Sequence, residues 1–281
     1  MRSTAHALVL ILLAGAAATT AALAQDQYTL QYKLEKGKVY RFADTTFVKS
    51  AQEMMGQEMK STSTILSTVR LIPSEIRPDG STVLTVSPDV MSVSVKNPRM
   101  DTTIVVKEAI GKRSRLTISK LGETINKEII DTIKYTGISA NVGRQDMVRL
   151  HLMPAKPVKI GEKWTSSKPD TSESMGGKMV TVATGDFTLL AKEMKSGVEC
   201  LKISYTGKLT VTGKGSMNGA DFFVEGSGTT SGTYFADIAT GMPVWEDSKY
   251  DMETTVALTG AQNMTIPSST SVSVHRMLLK D

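Results

Sequence analysis

"PVKIGEKW" (Pro157–Trp164) stands mid-chain, and "KLEKGKVY" (Lys33–Tyr40) stands near the start. Each reads as an apolar residue, two spacers, a glycine, two spacers and a large aromatic. Further matches follow in the same order. Gly37 pairs with Gly161 and Tyr40 with Trp164, each 124 apart. "GQEM" (Gly56–Met59) answers "GGKM" (Gly176–Met179) at 120. Gly80 answers Gly197 at 117, and Gly122 of "SKLGETI" answers Gly241 of "IATGMPV" at 119. Ordered matches at a nearly constant offset predict a tandem duplication of one unit. Each shared position has a physical reason. Glycines between strand patterns supply turns that other residues resist, and the aromatic anchors the strand that follows.

Between those glycines the period is two. "YTLQYKL" sets Tyr28, Leu30, Tyr32 and Leu34 on one face; Met91, Val93 and Val95, then Leu116 and Ile118, alternate likewise. So do Leu201, Ile203 and Tyr205, and Tyr234, Ala236 and Ile238. This is the signature of half-buried antiparallel strands. In the Gly- and Ser-rich tract Gly213–Gly232, the run "DFFVE" predicts strands with long turns, because Phe222, Phe223 and Val224 favour burial, while Gly213-Lys214-Gly215 reads as a turn. From Asn126 to Met153 the pattern changes: Ile129, Ile130, Ile133 and Lys134 recur at helical spacing. One or two short helices are expected there, ended by Pro154 and Pro157. The expected fold is mainly β: two tandem copies of a curved antiparallel sheet, forming a sandwich or open barrel, with short helices between them.

The N-terminus predicts export. Arg2, the apolar run Ala7–Ala18 and the Ala22-Leu23-Ala24 cleavage signal form a secretory leader over residues 1–24. The expected division is leader 1–24, first repeat with connecting helices 25–153, and second repeat 154–281. A lipid-anchored leader needs a cysteine just after cleavage, and Cys200 is the chain's single cysteine. The product is therefore expected to be periplasmic or extracellular and not lipidated, with no membrane-spanning segment in the mature chain. Cys200 reads as a buried thiol. Losing Arg2 takes the 33 basic residues to 32 against 28 acidic, a mild excess of 4. Basic residues are interspersed with acidic ones and aromatics are few, which argues against a nucleic-acid partner. The cluster "GKRSR" (Gly111–Arg115) reads as a solvated turn.

Chemistry-bearing patterns are sparse. His151 and Met153, and His275 and Met277, form two H-x-M pairs 124 apart. A thioether and an imidazole on one strand face could hold copper; methionine as a core filler is the simpler account, and Leu150 and Leu152 suggest a helix around His151. No nucleophile elbow, zinc motif, P-loop or Rossmann spacing is present. Asp101, Glu108, Asp221 and Glu246 read as carboxylates on solvated strand faces, and nothing in their spacing pairs them for hydrolysis. The sequence therefore assigns no catalytic, cofactor-binding or metal-binding residue and no cofactor.

On "YKLEKGKVYRF", "MMGQEMKS", "PDGSTVL" and "MPAKPVKIGEKW", the chain resembles an uncharacterised family of exported bacterial β-rich proteins, from Tyr28 to about Val256. That resemblance implies a fold and transfers no catalytic residue. The segment "FADIATGMPVWEDSKYD" (Phe235–Asp251) also resembles the late hairpins of periplasmic lipoprotein-carrier folds, curved sheets that hold acyl chains. The functional expectation is a non-enzymatic exported binding module for a lipid or other hydrophobic ligand. The alternatives are a structural or interaction protein with an envelope partner and, third, a carboxylate hydrolase. Oligomeric state is not set by the sequence.

Overall fold

The computed structural model describes residues 26–54, 56–134, 148, 150–174, 177–217, 220–260 and 263–280. The expected leader, residues 1–24, lies outside the described residues. Twelve strands follow one another: β1 (Tyr40–Met54), β2 (Gln57–Ile76), β3 (Thr82–Asn97), β4 (Met100–Val105), β5 (Ser114–Ile118), β6 (Thr124–Ile129), β7 (Lys163–Ser174), β8 (Gly177–Lys195), β9 (Val198–Met217), β10 (Ala220–Asp237), β11 (Pro243–Thr259) and β12 (Met264–Leu279). They form one antiparallel sheet in the order β6-β5-β3-β2-β1-β12-β11-β10-β9-β8-β7, with β4 also on β3. The expected sandwich is thus replaced by a single sheet. The cause is the pairing of β1 with β12 from Arg41↔Leu279 to Gln52↔Ser268, which fuses the two halves edge to edge.

The sheet curls. Among the described residues its two edge strands, β6 and β7, are not paired in a ladder, and Lys127 Nζ lies 3.5 Å from Asp170 Oδ2. One principal core gathers residues from both halves: Phe42, Leu71, Leu84 and Ile118 with Leu189, Ile203, Tyr234 and Met242. Each large apolar side chain buried there contributes about 1.5–3 kcal/mol.

Two extended segments, residues 28–34 and 150–158, fill the curl. In residues 28–34 the predicted alternation holds, with Leu30, Tyr32 and Leu34 buried. The predicted ladder does not: only Tyr28 bridges Val158. The backbone instead bonds to hairpin tips, Tyr32 N–H to Lys120 O at 2.8 Å and Lys33 N–H to Thr240 O at 2.9 Å. Glycine is required at both tips. A Cβ on Gly122 would stand 2.5 Å from His151 O, and one on Gly241 2.4 Å from Gln31 O, both at positive φ.

No helix occurs among the described residues between the halves. Ile129 ends β6, which pairs with β5 as Ser114↔Ile129, and Asp131 accepts the backbone N–H of Arg113. The hairpin ladder therefore prevails over the helical spacing. Residues 135–147 and 149, where the rest of the expected helices fall, lie outside the described residues.

The matched sequence positions occupy like places. Gly37 and Gly161 precede β1 and β7, Gly80 and Gly197 turn β2 into β3 and β8 into β9, and Gly122 and Gly241 follow β5 and β10; all six have positive φ. Gly176 lies outside the described residues. One difference between the halves is that β4 and β5 together run along β3 as the unbroken β10 runs along β9. The interruption carries Val106 and Ala109 into a second small core with Ile65, Met91 and Val93. It sits opposite Pro88, which has no N–H for a ladder bond and instead accepts one from Gly111.

Candidate functional site

Register assigns every strand residue to the core face or the outer face. Across β1, β12, β11, β10 and β9 one core-facing row is Asp44–Arg276–Glu246–Tyr234–Ile203. Three of these residues are charged, and all are buried; Glu246 is 1% exposed and Arg276 4%. Arg276 donates to both Asp44 oxygens, at 2.7 and 2.8 Å. Burial pulls the Arg276 pKa down, but the hydrogen bonds it donates to Asp44 and the charges of Asp44 and Glu246 outweigh it and hold the guanidinium above its ordinary range. Tyr205 donates to Glu246 Oε1 at 3.2 Å. Burial, reinforced by Glu246, pushes the Tyr205 phenol well up.

His151 enters this cluster from the extended segment after the first half. It is not helical. Its ring stacks on Tyr234 at 4.0 Å and 10°. Nε2 lies 3.2 Å from Glu246 Oε2, off the line that a hydrogen bond needs. Tyr32 clamps the backbone by donating to His151 O at 3.0 Å, and burial raises its phenol pKa strongly. Met153 is buried in the apolar core. The cluster is thus a sealed ion and aromatic lattice that pins the filling segment to the sheet.

The adjacent outer row is inverted in character. It reads Val90–Thr68–Ala43–Met277–Trp245–Phe235–Lys202 across β3, β2, β1, β12, β11, β10 and β9. Val90, Met277 and the nearby Leu66, Phe47 and Leu279 are exposed; Phe47 is 51% exposed and Met277 41%. Phe235 and Trp245 meet edge to face at 5.5 Å, and His275 stands edge-on to Trp245 at 5.5 Å. His275 Nδ1 lies 2.6 Å from Asp247 Oδ1. A groove of about 1060 Å³ crosses this region. Phe47, Trp245, Lys202, Lys195, Glu193 and Asp247 line it on the face opposite the principal core, with Phe235 buried beneath against Cys200 and Val244. A second furrow of about 830 Å³ runs beside it between the outer pairs Lys49/Ala51, Ser271/Ser269 and Asp251/Glu253.

The other sequence candidates separate. His275 and Met277 share a face, as i and i+2 on β12 should. Among the described residues no cluster of three His, Cys, Asp or Glu side chains could hold a metal. Asp101 pairs with Lys96 at 3.3 Å on the surface, Glu108 lies in the β4–β5 interruption, and Asp221 is exposed at the start of β10. Glu246 departs from the solvated reading: it faces the core, where Tyr205 and His151 meet it. Gly213–Gly215 lies inside β9, not in a turn, and Phe223 points outward while Phe222 and Val224 are buried. Arg113 and Arg115 of the basic cluster pair on the surface with Asp131 and Glu128. The outer aromatic row escaped sequence reading. Its signal was the phase of "PVWEDS", where Trp245 and Glu246 must face opposite ways.

A family of unknown function, DUF6263, matches residues 145–243, less than half of the chain. No curated protein matches. Among solved structures, the COG4313 outer membrane channel from Pseudomonas putida F1 is 11% identical, with 88% of this chain and 97% of that one covered at a TM-score of 0.30. Pseudomonas aeruginosa OccK2 (OpdF) in complex with glucuronate is 6% identical, with 88% and 100% covered at a TM-score of 0.23. Likeness at that level does not bear on what this chain does. No helix among the described residues is long and apolar enough to cross a membrane, which says nothing of strands.

Proposed function

We propose that this chain is an exported, non-enzymatic binding module, built by duplication of one β unit, that takes a hydrophobic ligand on the outer face of its sheet. One observation carries the reading: the groove of about 1060 Å³ on the face opposite the principal core, where Phe47 is exposed and Trp245 half-buried over a buried Phe235. Exposed apolar side chains grouped along a groove, here Phe47, Leu66 and Met277, mark an interaction site. At the level of the ion lattice, binding inside the curl is disfavoured, because the core and the filling segments occupy that space. Catalysis by the carboxylates is disfavoured because Glu246 is sealed from solvent.

The test uses Trp245 as reporter. The chain has two tryptophans, so Trp164→Phe leaves one. Titration with the neutral amphiphile octyl glucoside, below its micelle concentration, should shift Trp245 emission saturably, and Phe47→Ser should abolish the shift. A flat titration would remove the reading.

A further inference from the structure

The groove does not end at its rings. A two-residue turn joins β8 to β9, with Ser196 at φ 51° and Gly197 at φ 75°. Two consecutive positive φ values are the type I′ pattern that closes tight hairpins. The turn sets Lys195, paired with Val198, on the outer face. Its ammonium lies 4.0 Å from the Trp245 ring centroid and 4.7 Å from that of Phe235. Among the described residues no carboxylate pairs with it. Lys202 Nζ lies 5.5 Å from the Phe235 centroid, and Lys280 Nζ lies beside Gly197. Lysines therefore gather at one end of an apolar row.

From Val90 on β3 to Trp245 on β11 that row crosses five strands, about 20 Å at the usual spacing. It spans the outer side of the curl, too wide for one acyl chain, and is bordered by a tryptophan and by lysines on aliphatic stems. Tryptophan and lysine are side chains that settle at a bilayer's headgroup level.

We propose that this face docks on an anionic lipid surface, with Phe47, Leu66, Met277 and Val90 against the acyl boundary and Lys195 at the headgroup phosphates. The proposal rests on the hydrophobic-ligand reading and names the ligand. Charge supports an anionic surface: without residues 1–24 the chain carries a formal excess of 4 basic residues, and Lys195 has no carboxylate partner among the described residues, whereas Lys202 lies 3.7 Å from Glu193.

Flotation with vesicles tests it, using phosphatidylcholine alone and phosphatidylcholine mixed with phosphatidylglycerol. The mature chain should float with the mixed vesicles and stay behind with the neutral ones. Raised salt should release it. Lys195→Gln should weaken partitioning about five-fold, as expected for one basic residue at an anionic surface. Phe47→Ser with Met277→Ser should abolish flotation while the circular-dichroism spectrum is unchanged. Equal flotation with both vesicles would overturn the anionic assignment. Absence of flotation while octyl glucoside still shifts Trp245 would overturn the lipid-surface inference and leave the hydrophobic groove standing. Failure of both would remove both. A dimer in solution that Phe47→Ser dissolves would assign the face to a second copy of the chain instead.

Discussion

Trp245 and Glu246 are neighbours in sequence, as are Met277 and Arg276, yet each pair spans the sheet. On the core side stand Glu246, Arg276 and Asp44; on the outer side stand Trp245, Met277 and Ala43. At this one level the usual arrangement is reversed, with ions inside and hydrocarbon outside. Two rows further down β10 and β9 it is normal again, with Ala236 and Leu201 in the core. Reversal has a cost on both faces, since burying ions requires full pairing and exposing hydrocarbon forgoes burial. The proposed binding face lies at that level.

The sharpest way to break this comparison is to cut each face in turn. Arg276→Ala strands the Asp44 carboxylate in the core and should cost ~3–5 kcal/mol in urea unfolding. Met277→Ser, one residue on, should change stability by less than ~0.5 kcal/mol. Equal costs would mean that the two faces do not differ as described. Next in size are the hairpin tips. Gly241→Ala drives a Cβ into Gln31 O and should cost about 2–3 kcal/mol. Gly37→Ala, at a similar φ but with open space around it, should cost only about 1 kcal/mol. The gap between them measures how firmly the filling segment is clamped.

The smallest effect is a surface one. Hydrogen bonds from the Arg113 side chain and backbone hold the Asp131 carboxyl at about 2, below its ordinary 3.8. A depressed carboxylate stabilises the fold above its unfolded value and loses that contribution as pH falls from about 4 through 2. Asp131→Asn should therefore lower Tm slightly at pH 7, with the difference vanishing by pH 2. Asp131 is exposed, so the shift should be much smaller than that of Arg276→Ala.

Much of the fold was legible because alternation and turn glycines are local properties. Met91 and Val93, Leu201 and Ile203, and the tips at Gly122 and Gly241 stand where their pattern puts them. Three features are not local. The β1–β12 pairing that makes one sheet of two halves joins residues more than 200 apart. Ile129 and Ile133 carry a helical spacing that a neighbouring hairpin overrides. Extended chain at 28–34 has a strand's alternation, but its backbone partners are turns. The site itself depended on phase. Alternation says that Trp245 and Glu246 face opposite ways, but only the register across five strands says that the glutamate is the buried one.

Methionine oxidation reads both faces in one experiment. Met277 lies on the outer row, while Met153 and Met242 are buried in the core. Brief peroxide treatment, with sulfoxides located by mass spectrometry, should oxidise Met277 rapidly in the free chain and protect it on anionic vesicles, while Met153 and Met242 stay unoxidised in both states. Met277 protected in the free monomer, or equally reactive with and without vesicles that carry the protein, would contradict the account.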